Sequence, residues 1–169
     1  MKLYLMRHGE ALSAQVDPQR GLSDNGKASI ELVAKYIQKK NITFSRIYHS
    51  KKKRAHETAR IMAAITSPAI EIEHYQNITP DDDPRLILNE INSWNEDTLI
   101  TSHLPFVPNL ISLLSGKEAY LSAISFETGT LVCLEKTPES VWKISWSTSP
   151  TEVAYLNEHN SAINHQQPE

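Results

Sequence analysis

One cysteine, Cys133, stands in 169 residues. A lone thiol supports no disulfide framework, no CxxC redox pair and no cysteine-built zinc site. Its place in the apolar run TLVCLE (130–135) reads as a buried strand thiol. No apolar run approaches the roughly 20 residues that cross a bilayer. The opening MKLYLMRHG does not read as a signal peptide, because its apolar part is short and no small-residue cleavage site follows. These gaps point to a reducing, cytoplasmic setting with no membrane partner. Phosphate-cradling loops of the GxxxxGK[ST] and GxGxxG kinds are missing, as are HExxH and EF-hand spacings. The acidic run DDD (81–83) has the composition of a Mg²⁺ site, but Asp83 followed by Pro84 reads as a helix N-cap and first-turn pair. No metal and no cofactor are expected. A net charge of −3 gives no support to nucleic-acid binding.

What is present suits one globular domain over 1–150, at 40% hydrophobic and 22% charged residues. KLYLM (2–6), FSRIYHS (44–50) and DTLITSH (97–103) read as strands, and AIEIE (69–73) as an edge strand. Helices are expected after Ser23, over KKKRAHETARIMAAI, after Asp83, and over PFVPNLISLLSG, which ends at Gly116. Three closing strands are expected at 123–127, 130–135 and 141–147, and residues 151–169 read as a polar, flexible tail. Strands alternating with helices, then hairpin-like strands, predict an α/β three-layer sandwich. Its central sheet would be mixed but mostly parallel, with helices on both faces.

Ligands of open α/β sheets bind at the carboxyl ends of the strands. The first strand delivers Arg7 and His8 there, the second leads to Arg54, and the TLITS strand delivers His103. The helix after Ser50 opens with Lys51, Lys52, Lys53 and Arg54, at the end where the helix dipole disfavours cations. An anion over that helix start removes the misfit, and phosphate suits both helix N-termini and arginine. A metal-free phosphate site needs cations around the phosphoryl oxygens and a nucleophile to accept the group. Neutral imidazole can be that nucleophile and form a phosphohistidine. Two arginines and a second, protonated histidine would stabilise the transferred group. Gly9 permits a tight approach beside His8, which favours His8 over His103 as the attacker. His49, His56 and His74 read as ordinary strand, helix-surface and strand-end residues, and His159 and His165 lie in the tail.

These residues resemble the histidine phosphatase superfamily, which includes the phosphoglycerate mutases. LMRHG ends the first strand, SKKKRAHET follows the second, TSHLP carries the second histidine, and LSDNG (22–26) opens the first helix. Lys51 and Glu57 stand where the family pattern has proline and glutamine. The resemblance implies that His8 is phosphorylated and that Arg7, Arg54 and His103 bind and polarise the phosphoryl group. Ser13 is a further candidate phosphate contact. The compact length resembles the SixA type, which implies dephosphorylation of a phosphohistidine-carrying protein such as a phosphotransfer domain. SixA-type proteins lack the usual general-acid carboxylate of the family, and Asp81 and Asp82 are the candidates for that role here. A missing acid suits phosphoramidates, because imidazole leaves readily where an alkoxide does not. Hydrolysis of small phosphomonoesters and a non-catalytic phosphate-binding module are the alternatives.

Overall fold

The computed structural model describes residues 1–116 and 118–164. β1 (Lys2–Arg7) lies at the centre of a six-stranded sheet with β2 (Arg46–His49), β3 (Ile72–His74), β4 (Thr98–Ser102), β5 (Leu131–Lys136) and β6 (Trp142–Thr148), in the order β3-β2-β4-β1-β5-β6. The first four strands of that order run parallel, and β5 and β6 are antiparallel additions. The mixed, mostly parallel sheet expected from the sequence is therefore present.

Side chains alternate across β1. Leu3 and Leu5 enter a core with α3 (Leu88–Ser93) and α4 (Phe106–Ser115), whereas Tyr4 and Met6 enter a core with α1 (Asp24–Lys39) and α2 (Lys53–Thr66). All four are at most 2% exposed, so β1 is covered on both faces. Each such side chain contributes roughly 1.5–3 kcal/mol of burial. The α1 helix starts where expected, with the Ser23 hydroxyl accepting from Gly26 N at 2.9 Å. Gly26 is required there, since a Cβ would stand 2.1 Å from the Glu10 carbonyl oxygen. This close approach pins the loop after β1 against the helix.

Two expectations are corrected. Residues 123–127 form no strand: a 3₁₀ segment (Glu118–Ala123) leads into a loop where Phe126 adopts a positive φ of 44°. The place beside β1 belongs to β5, whose Leu131–Leu134 run is fully buried, so Ile124 and Phe126 cover the α4-side core instead. Residues 150–164 are not a flexible tail but a helix, α5 (Pro150–Asn164). The Ser149 hydroxyl accepts from Glu152 N, Glu127 accepts from Thr151, and Val153 is fully buried in the core that α1 and α2 cover. Residues 165–169, with His165, lie outside the described residues. Cys133 is buried in β5 as expected. No helix among the described residues is long and apolar enough to cross a membrane.

Candidate active site

Register decides what meets at the carboxyl rim. Arg7 of β1 pairs with Ser102 of β4, and His49 of β2 pairs with Thr101. The residues just beyond, His8, Ser50 and His103, therefore emerge side by side. His8 N donates to Ser102 O at 2.9 Å and Ser50 N to Thr101 O at 3.2 Å. The Thr101 hydroxyl donates to Ala55 O at 2.9 Å, which ties the start of α2 to the same rim.

The His8 imidazole is 8% exposed and its orientation is fixed at both nitrogens. Nδ1 lies 2.6 Å from the Gly9 carbonyl, which only an N–H can satisfy, so the proton sits on Nδ1. Nε2 is then the lone pair, and Arg54 Nε donates to it at 3.2 Å. Gly9 N donates to the Thr58 hydroxyl at 3.0 Å, and that hydroxyl donates to Arg54 O at 2.7 Å. Arg7 reaches across the sheet and donates to Phe126 O at 2.7 Å, leaving its buried Nε without a partner among the described residues.

His103 is 1% exposed, and its ring centroid lies 5.1 Å from that of His8. Its Nε2 is 2.5 Å from the Ser50 hydroxyl, which also accepts from Lys52 N at 3.3 Å. A hydroxyl that accepts from Lys52 is free to donate to Nε2, which puts the His103 proton on Nδ1. That Nδ1 is buried and has no partner among the described residues. Two orphaned nitrogens, on Arg7 and His103, thus accompany the His8 lone pair.

Burial, reinforced by Arg54, Arg7 and Arg20, pushes His8 down to about 4. Burial, then His8, Arg54, Lys52 and Arg7, pushes His103 down to about 3. The sequence argument has a protonated second histidine; the protein's own groups hold it neutral, because cations crowd a buried ring. A stability effect follows. Unfolded imidazoles take a proton near pH 6.5, whereas the folded rings resist until about pH 4 and 3. The unfolded state then binds more protons below pH 6.5, so stability is full near neutrality and falls as pH drops toward 4. A loss of roughly 6 kcal/mol for the pair, about 3 from each ring, is expected between pH 7 and pH 4. Denaturant titrations at pH 7 and pH 4 check it: His103→Gln is expected to lose less than wild type, and equal losses would refute the assignment.

The other sequence candidates make no hydrogen bond to this cluster among the described residues. Ser13 is exposed in a turn, its hydroxyl near Val16 N at 3.4 Å. The Asp82 carboxylate accepts from Thr79 N and Thr79 Oγ1 at 2.7 and 2.6 Å, which holds it below the ordinary carboxylate range. Asp81 is exposed and makes no side-chain hydrogen bond or ion pair among the described residues. Asp83 caps its short helix, accepting from Arg85 N at 3.0 Å. Sequence reasoning missed three contributors: Ser50 against His103, Thr58 bridging Gly9 to Arg54, and Arg20, whose charge acts on His8 and Arg54. Ser50 and Thr58 belonged to the matched SKKKRAHET segment but were given no role. Nothing in the sequence marked Arg20. Among the described residues no group of three or more His, Cys, Asp or Glu is placed to hold a metal ion.

The profile described as histidine phosphatase superfamily (branch 1) matches residues 3–78, the stretch that holds Arg7, His8 and Arg54. That stretch is similar to the histidine phosphatase superfamily, and the fold agrees with it. The chain's structural likeness extends to SixA. A structure of the protein histidine phosphatase SixA complexed with tungstate is similar at TM-score 0.80 and 25% identity, over 89% of this chain and 98% of that one. A phosphoglycerate mutase from Bacillus anthracis shares the fold at TM-score 0.72 and 12% identity, over 91% and 95%. A phosphoserine phosphatase from Entamoeba histolytica, in complex with 3-phosphoglyceric acid, does so at 0.69 and 17%, over 90% and 98%. No curated protein sequence matches the chain.

Proposed function

We propose that the protein is a metal-independent phosphatase that removes phosphate from phosphohistidine in a protein through a phosphohistidine intermediate on His8. The observation that carries this reading is the fixed His8 tautomer: Nδ1–H on Gly9 O, and the Nε2 lone pair facing Arg54 beside two buried nitrogens that have no partner among the described residues. In the first step the His8 Nε2 pair forms a bond to phosphorus as the substrate's P–N bond breaks; the substrate ring reacts with a proton already on its other nitrogen, so it takes the electron pair and leaves as neutral imidazole. Arg7, Arg54 and the His103 Nδ1–H stabilise charge on the phosphoryl oxygens. In the second step water attacks phosphorus, the His8 N–P bond breaks, its electrons return to Nε2, and inorganic phosphate departs. The bound phosphoryl group's negative charge opposes the cations that keep His103 neutral, so occupancy raises the proton affinity of that ring.

The carboxylates favour a nitrogen leaving group. Asp82 is engaged with Thr79 and held ionised, and Asp81 is exposed to solvent. Neither is arranged as a proton donor for an alkoxide. The SixA likeness, with its bound tetrahedral oxyanion, supports the same reading. The test is an assay in EDTA of a phosphohistidine carrier protein beside a panel of phosphomonoesters. Turnover of the carrier is expected to exceed that of every monoester, and Asp81→Asn and Asp82→Asn are each expected to change it less than threefold. Activity abolished by EDTA, or a monoester preferred over the carrier, would overturn the proposal.

A further inference from the structure

Beside the His8 cluster lies an open cleft of about 840 Å³, lined by Pro18, Gln19, the run Arg20 and Lys51 to Arg54, and three histidines, His49, His56 and His74. Five of these residues are cations and, among the described residues, no carboxylate lines the cleft, in a chain whose net charge is −3. Lys53 alone is neutralised, by Asp17 at 2.9 Å. Arg20, Lys51 and Lys52 make no ion pair among the described residues. Asp82 senses the charge of Lys51 without pairing to it. The walls are held in place. Asp17 accepts from Gly21 N and from Lys53, and Glu57 accepts from Leu22 N at 2.7 Å, so the loop before α1 is fastened to α2. Here Glu57, one of the two departures from the family pattern, fixes the loop that carries Arg20.

We infer that this cleft docks acidic side chains of the protein that carries the phosphohistidine, and so selects substrates whose phosphorylated histidine has carboxylates nearby. The inference rests on the proposed function and names the partner's chemistry. Arg54 belongs both to the cleft lining and to the His8 contact, so whatever is attached to the phosphoryl group extends across the cleft. A lone phosphate or a small monoester leaves most of that volume unused. Lys51 and Lys52 are exposed. Mobile ammonium groups of this kind suit carboxylates on a protein surface better than the fixed, bidentate geometry that a small ligand needs. Charge complementarity of this sort sets specificity and association rate, and weakens with salt.

The experiment compares three substrates: free phosphoramidate, and two phosphohistidine peptides identical except that one has glutamates where the other has glutamines beside the phosphohistidine. At low salt wild type is expected to show kcat/KM about tenfold higher for the glutamate peptide, falling to within twofold at 0.5 M NaCl. Lys51→Glu combined with Gln19→Glu is expected to abolish the preference while turning over phosphoramidate as wild type does. Equal kcat/KM for the two peptides in wild type, or an undiminished preference in the variant, would overturn the inference while phosphoramidate turnover leaves the proposed function standing. Failure to turn over phosphoramidate and both peptides would overturn both.

Discussion

His8→Ala is expected to lower turnover of a phosphohistidine substrate by at least about four orders of magnitude, and to leave no acid-labile phosphate on the chain. The size follows from what the ring does. Among the described residues its Nε2 lone pair is held only by the long Arg54 contact at 3.2 Å, at the place proposed for the phosphoryl group. Gly9 O accepts the hydrogen bond from Nδ1–H at 2.6 Å, and the neutral form persists far below neutral pH. Arg7 and Arg54 carry no lone pair to offer, and the His103 Nε2 lone pair is committed to Ser50. Water in place of the imidazole lacks the covalent step and keeps only positioning and charge stabilisation. Base-stable, acid-labile phosphate trapped on wild type and absent from His8→Ala is the decisive readout. A wild type that traps none, with a variant equal to it in every assay, would leave only a phosphate-binding module.

The frame of this site was legible before any coordinates. Apolar runs ending in Arg7, His49 and Ser102 mark parallel strands, and parallel strands share a carboxyl rim, so His8, Ser50 and His103 were bound to approach one another. The cations opening α2 pointed to an anion for the same local reason. Illegible parts were those that depend on tertiary partners. Arg7 is positioned by a carbonyl 119 residues away, on a loop whose sequence reads as a strand. Phe126 takes a positive φ there, a conformation that no residue pattern in AISFE announces. The α5 helix buries Val153 fully while most of its length is polar, so its periodicity was too faint to separate from a tail. Ionisation was also beyond reach. A sequence can place cations near a histidine, but whether the ring stays neutral depends on burial, and burial is the largest influence on both His8 and His103.

Arg54→Ala is expected to cost about a thousandfold in kcat/KM, more than loss of charge alone explains. Arg54 acts on His8, the proposed nucleophile, by two routes. Its Nε donates to His8 Nε2 at 3.2 Å, and its carbonyl accepts from the Thr58 hydroxyl that holds Gly9 N. Truncating the side chain spares the second route and removes the first, so the loop after β1 keeps its shape while the ring loses one of its two restraints. Removing Arg54 also removes the strongest of the cationic influences that depress His8, which come after burial. The imidazole is therefore expected to titrate higher than in wild type, an effect that ring-proton NMR resolves separately from rate. Arg54→Lys divides the contributions. An ammonium restores a point charge but not the planar fork that can bond two phosphoryl oxygens, so rescue of about tenfold is expected rather than full recovery. Full activity in Arg54→Lys would mean that charge alone matters at this position. A loss under tenfold in Arg54→Ala, with the His8 titration unmoved, would remove Arg54 from the site and leave Arg7 and His103 to hold the phosphoryl group.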